Sequence, residues 1–326
     1  MADMNDVAKL AGVSRGTVSN YVNGVKVKES TRVKVEAAIK ELDYVPNLAG
    51  RLLKTQQSDL VVLIVPTIWN PFFSELAFYL ERGLKKSGLK LILCNSEDDY
   101  QQEIEYIQMA KEQKVRGIIT VSYSDIEPYV TSDLPIVSIE RYFDETVPFV
   151  TSDNFIGGEM AAKELSERGA TKLLMLMREI ENNLGLTERL NGFKSYCHQH
   201  QIAFDVLIDT GDGLHFKERL KQRVADLYQE AIPYDGIFAA TDRYAQYCWS
   251  ALQDLGIRVP EDVQIIGFDG TKASYHAELL VSSIRQPVDK IAEIAIQELL
   301  QLEKRPRGKQ NKHILRPTFE PAYTTK

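Results

Sequence analysis

The chain has 326 residues, 44% of them apolar and 26% charged, values ordinary for folded soluble domains, too long for one compact core, and unlike those of fibrous or disordered chains. Residues 1–54 hold 9 Lys and Arg against 6 Asp and Glu, net +3, while the remainder holds 30 against 40, net −10, as expected of a small module that meets a polyanion joined to a larger body that does not. The opening MADMNDVAKLAGVS has no basic start followed by an apolar stretch, and no run approaches the ~20 apolar residues of a membrane span, so a cytoplasmic protein is expected.

The first element is read from Met4, Val7, Ala8 and Ala11, spaced as one face of a short amphipathic helix, with Asp3 as its N-cap and Gly12 as its stop. Ser14 can cap a second helix, in which Val18, Tyr21 and Val22 share the inner face while Arg15, Gly16, Ser19 and Asn20 share the outer one. After a loop at Asn23 and Gly24, a third helix runs to about Leu42 and buries Val35, Ala38, Ile39 and Leu42. Such a mini-core has little independent stability. Pro46 and the polar run from Lys54 to Ser58 bracket the segment NLAGRLL, which reads as a linker.

From Asp59 the pattern becomes β-rich apolar runs alternating with helical stretches: DLVVLIVP, PFFSELAFYLERGLKK, LKLILC, DDYQQEIEYIQMAKEQ, GIITVS. This alternation predicts βαβ units and parallel sheet. A second set starts after Ser152-Asp153-Asn154, with strands KLLMLM, DVLID, GIFAAT and VQIIGFD. The fold class is therefore a small all-α helix-turn-helix headpiece followed by an α/β body of two doubly wound lobes. The headpiece covers 1–45 and the hinge segment 46–58. The body covers 59–326, its first lobe about 59–153 and 286–312 and its second about 154–283 and 313–326, so the chain crosses back before ending. Ligands of such sheets bind at the carboxyl ends of the strands, which here face a shared cleft. Cys94, Cys197 and Cys248 lack any CxxC pairing, so neither a disulfide framework nor a metal site is indicated. No GxSxG, P-loop, HExxH or GxGxxG string occurs, and neither catalysis nor a cofactor is expected.

The string DVAKLAGVSRGTVSNYVNG followed by TRVKVEAAIKELDYVPNLAGRLL closely resembles the headpiece of the LacI/GalR (lactose-repressor) family. The resemblance continues through NPFFSEL, VPFVTSDN, ERLNGF, IFAATD, RVPEDVQIIGFD and SSIRQPV and spans essentially the whole chain. It implies a sequence-specific transcription regulator, a repressor, periplasmic-binding-protein-like in its body. Its partners would be pseudo-palindromic double-stranded operator DNA and a small effector, with a homodimer as the assembly, in the bacterial cytoplasm at the nucleoid. A dimer is preferred over a tetramer because no leucine heptad tail follows HILRPTFEPAYTTK.

The resemblance places Ser14, Arg15, Gly16, Thr17, Ser19, Asn20 and Asn23 at the DNA. Arg15 suits guanine O6 and N7, whereas Asn20, standing where arginine is common, suits either adenine or a phosphate. Ser14, Thr17 and Asn23 match phosphate-contacting positions, although for Ser14 capping alone is an equal explanation. Lys28 stands where a capping serine is usual, with Ser30 a candidate substitute. NLAGRLL resembles the family's hinge helix, adding Asn47, Arg51 and the minor-groove wedge Leu53 as DNA contacts, with Gly50 biasing that helix toward disorder off DNA. In the body, the resemblance implies an effector cleft of Asn70, Phe72, Phe73, Glu140, Arg189, Thr241, Asp269 and Gln286, with Trp69 near. An arginine with two carboxylates and aromatic walls suits a polyol such as a sugar. Interlobe ion pairing is the competing explanation for Arg189, Asp269 and Glu140, while Asp242 reads as a helix cap rather than a ligand. An exported sugar-binding protein would share the two lobes but not the headpiece.

Overall fold

The computed structural model describes residues 2–22, 25–45, 57–130, 134–179, 183–211, 213, 215–302, 308 and 310–326, in two compact units, Met1–Ser58 and Asp59–Lys326.

The first unit contains helices α1 (Met4–Ala11), α2 (Arg15–Val22) and α3 (Glu29–Glu41). Asp3 caps α1 through a capping box, accepting the amides of Asn5 at 2.6 Å and Asp6 at 3.0 Å while its own amide donates to Asp6. Gly12, at φ 65°, closes the helix. Val7, Ala8, Ala11, Val18, Val35, Ala38 and Tyr44 form the core, with Tyr21, Val22, Ile39 and Leu42 half-buried around it. Tyr21 ties α2 to α3 by donating to Glu36 at 2.8 Å. Ser30 does not take over the cap of α3: Lys28 occupies that position without a side-chain hydrogen bond. The acidic first residue Glu29 instead complements the helix dipole and is held by Arg32.

The second unit contains two six-stranded sheets. In chain order its elements are β1 (Leu60–Val65), α4 (Pro71–Lys86), β2 (Lys90–Asn95), α5 (Tyr100–Glu112), β3 (Gly117–Thr120), β4 (Ile136–Ile139) and β5 (Phe149–Ser152). There follow α6 (Asn154–Glu167), β6 (Lys172–Arg178), α7 (Leu184–Gln199), β7 (Ala203–Asp209), α8 (Phe216–Tyr228), β8 (Gly236–Ala239), α9 (Asp242–Asp254) and β9 (Gln264–Asp269). The chain ends with β10 (Ser282–Arg285), α10 (Val288–Leu302), β11 (Lys312–Leu315) and β12 (Thr318–Glu320). The sheets run β11-β5-β4-β3-β1-β2 and β12-β10-β9-β8-β6-β7. Apart from β12, antiparallel on β10, the pairs are parallel. The central strands β1, β3, β6, β8 and β9 are buried almost throughout, because helices cover both faces. The edge strands β2 and β7 expose part of their length.

The sequence places 286–312 in the first lobe and 313 onward in the second, but β11 pairs with β5 in the first sheet. The crossing therefore falls between Leu315 and Thr318, where Pro317 cannot donate to a ladder. Each sheet reverses strand order beside its first strand, between β1 and β3 and again between β6 and β8, which opens a crevice at the carboxyl ends of those strands.

Candidate functional site

In the headpiece, Arg15, Gly16 and Asn20 lie exposed on α2, whereas Thr17 and Ser19 are half-buried. Ser14 accepts the Thr17 amide at 3.1 Å and its hydroxyl shares a 2.9 Å hydrogen bond with the Thr17 hydroxyl. The cap assigned to Ser14 is thus in place, and the same bond orients Thr17. With Val18 fully buried on the opposite side, α2 offers one short polar face beside an arginine, the profile of a helix that enters a major groove. Asn23, Asn47, Gly50, Arg51 and Leu53 lie outside the described residues.

In the second unit, all eight effector candidates line one cavity between the lobes, about 110 Å³ in volume. Asn70 caps α4, accepting the Phe72 amide at 3.1 Å. Pro71 supplies the fixed φ of the first helical position. Phe72 and Phe73 pack edge to face at 5.3 Å and also belong to the first-lobe core. Trp69 is 87% exposed and lies against a different groove, so it is not a cleft residue.

Arg189 is the hub. It projects from α7, which crosses α6 so closely that a Cβ on Gly158 would stand 2.0 Å from the Arg189 carbonyl and one on Gly192 1.9 Å from the Phe155 carbonyl. Only glycine allows that approach. Arg189 donates to Asn154 Oδ1 at 2.8 Å and to the Ala240 carbonyl at 2.7 Å, and its guanidinium lies 3.5 Å over the Phe268 ring. Glu140, from the first lobe, is 3.8 Å away and Asp269, from the second, 3.7 Å. Arg189 therefore bridges the lobes as well as lining the cleft. Gln286 makes a second bridge, accepting from Ser152 at 2.7 Å and donating to Asp269 at 2.8 Å.

Glu140, at φ 64°, directly follows β4, and Asp269, at φ 106°, ends β9, both in left-handed backbone. Such strain persists where surrounding contacts hold it, and it turns both carboxylates out of the sheet direction into the cleft. Burial pushes the Asp269 carboxyl up, against the opposing pull of Arg189 and Gln286. Asp242 does not cap α9. Thr241 does, accepting the Tyr244 amide at 3.3 Å, while the buried Asp242 accepts from the Thr271 amide and hydroxyl at 2.6 and 2.9 Å and from Ser283 at 2.5 Å.

Residues 3–47 match the model of bacterial regulatory proteins of the lacI family, and 162–322 match the periplasmic binding protein-like domain. The sucrose operon repressor of Pediococcus pentosaceus is 36% identical over 309 residues, 91% of each chain. The chain belongs to the LacI family. This LacI-family protein is accordingly a DNA-binding transcription regulator. A crystal structure from Alkaliphilus metalliredigens QYMF, complexed with D-xylulofuranose, matches with a TM-score of 0.72 at 28% identity, covering 82% of this chain and all of the other. The Lac repressor dimer bound to operator and the anti-inducer ONPF matches over 99% of both chains, TM-score 0.85, at 22% identity, a likeness of fold.

The regulator's cleft also takes in Pro66, Thr67, Asp98, Tyr123, Arg178, Asn183, Leu186, Arg243 and Tyr244, none anticipated from sequence. Most follow the carboxyl ends of β1, β2, β3, β6 and β8, so the strand-end rule would have found them had it been applied to every strand. Among the described residues no cluster could hold a metal ion, and no helix is long and apolar enough to cross a membrane.

Proposed function

We propose that this LacI-family regulator is a cytoplasmic repressor that binds pseudo-palindromic operator DNA as a homodimer and whose operator affinity is set by a sugar or sugar derivative bound between the lobes. It needs no cofactor and catalyses no reaction. The observation that carries the reading is the convergence of Asn70, Phe72, Phe73, Glu140, Arg189, Thr241, Asp269 and Gln286 on one interlobe cavity. Aromatic walls and an arginine set between two carboxylates there present donors and acceptors to hydroxyl groups. The relatives support it: one is a sucrose operon repressor, and one solved neighbour holds a furanose sugar. The cavity is lined from both lobes, so a bound ligand contacts both and senses whether they meet in an open or a closed arrangement. A ligand with different affinity for the two arrangements then shifts their populations.

Mobility shift of a palindromic duplex, across a salt series and with a panel of sugars, tests the reading. Binding should be dimeric, fall steeply with salt, and change with one of the sugars. Monomeric binding or a flat salt response would reject the operator part, and indifference to every sugar the effector part.

A further inference from the structure

The charges of the cleft fall into two groups. At the centre, Arg189 faces Glu140 and Asp269 at 3.8 and 3.7 Å, and all three are buried. At the mouth stand Arg178, half-buried at the end of β6, and Arg243, exposed in the first turn of α9. Neither forms a hydrogen bond or ion pair among the described residues, and the Arg178 Nε is buried without a partner. Among the described residues the one carboxylate lining the cleft on that side is Asp98, whose acidity both guanidinium groups influence across the cavity. Two helices also begin here, since the caps of α7 and α9, Asn183 and Thr241, both line the cleft. Helix N-termini add positive potential and unpaired amides.

Among the described residues, two arginines and two helix starts against one carboxylate leave the mouth positive, whereas at the centre one arginine faces two carboxylates. The Arg178 Nε is desolvated without an acceptor, a cost that an accepting ligand oxygen would relieve. A carboxylate satisfies one guanidinium bidentately, whereas a phosphate ester has three free oxygens and near neutral pH about −1.5 to −2 charges. We infer that the effector is a phosphorylated sugar, its hydroxyls facing Arg189, Glu140 and Asp269 and its phosphate held by Arg178 and Arg243 at the cleft mouth. This rests on the sugar reading of the cleft above.

The test is calorimetric titration of the full-length protein with ribose 5-phosphate, fructose 6-phosphate, glucose 6-phosphate and sucrose 6-phosphate, each beside its unphosphorylated parent, with glucuronate and inorganic phosphate alongside. One phosphate ester should bind at least about tenfold tighter than its parent. Arg178→Gln and Arg243→Gln should each weaken that ester about tenfold or more while changing the parent's affinity much less. A parent sugar or glucuronate that binds as tightly as any ester, or variants that weaken ester and parent equally, would overturn the phosphate assignment and leave the sugar reading standing. Inorganic phosphate binding as tightly as the ester would equally overturn a joint sugar-and-phosphate grip. If no sugar of either kind binds, both readings fall together.

Discussion

Asp242 is buried one residue beyond the cap of α9 and accepts from three donors, yet burial and the nearby Asp269 push its carboxyl up to about 7. A carboxyl whose folded pKa lies above its unfolded value binds its proton more tightly in the folded state. Its contribution to stability is then present at low pH and lost as pH rises from about 4, the unfolded value, through about 7. Thermal melts of wild type and Asp242→Asn between pH 4 and 7.5 should show wild type losing stability relative to the variant as pH rises; a constant difference would place the Asp242 pKa at its unfolded value. For Arg189 the structure supports both competing explanations, since it lines the cleft and bridges the lobes. Arg189→Ala removes the counter-charge from two buried carboxylates and should cost about 3–5 kcal/mol together with the effector response. Arg189→Lys keeps the charge without the planar fork, so it should melt closer to wild type yet respond weakly to the effector. A lysine variant with full response would make Arg189 a bridge and nothing more.

At the scale of single elements, α2 illustrates how one serine can serve two roles. Asp is as good an N-cap as Ser, so Ser14→Asp should preserve the cap that now accepts the Thr17 amide, while placing a negative charge where a phosphate is expected. Headpiece helicity by circular dichroism should hold, and operator affinity should fall by at least about tenfold. Unchanged affinity would show that Ser14 is only a cap. The start of α7 makes a comparable point: the close α6 crossing allowed by Gly158 and Gly192 seats Arg189 beside Phe268, so packing fixes a binding side chain.

For the whole molecule, the division into Met1–Ser58 and Asp59–Lys326 has a direct consequence. Each sheet, each lobe core and every described cleft residue belongs to the second unit. A fragment of residues 59–326 should therefore fold alone and keep its thermal stabilisation by the effector, which follows from occupancy of the folded state, while losing operator binding. A fragment that is unfolded, or that no longer responds to a sugar binding the full chain, would show that the headpiece is required to complete the cleft.

The helix-turn-helix pattern, the two βαβ series and the family were legible in sequence because hydrophobic period, caps and turn residues are local signals. Asp3, Ser14, Val7, Val18 and Val35 take their places for reasons contained within a few turns of chain. Arg178 and Arg243 were not legible as cleft residues, because nothing local distinguishes an arginine at a strand end or helix start from a solvated one. Asp242 read as a helix cap, but its carboxylate is claimed by Thr271 and Ser283, residues distant in sequence. The placement of β11 in the first sheet likewise follows from pairing with a strand more than a hundred residues earlier. Local sequence set the elements and the class of partner. Only tertiary packing decided which charges meet between the lobes and which, among the described residues, stand without a partner at the cleft mouth, because burial and long-range contact alone determine whether a charge has a partner.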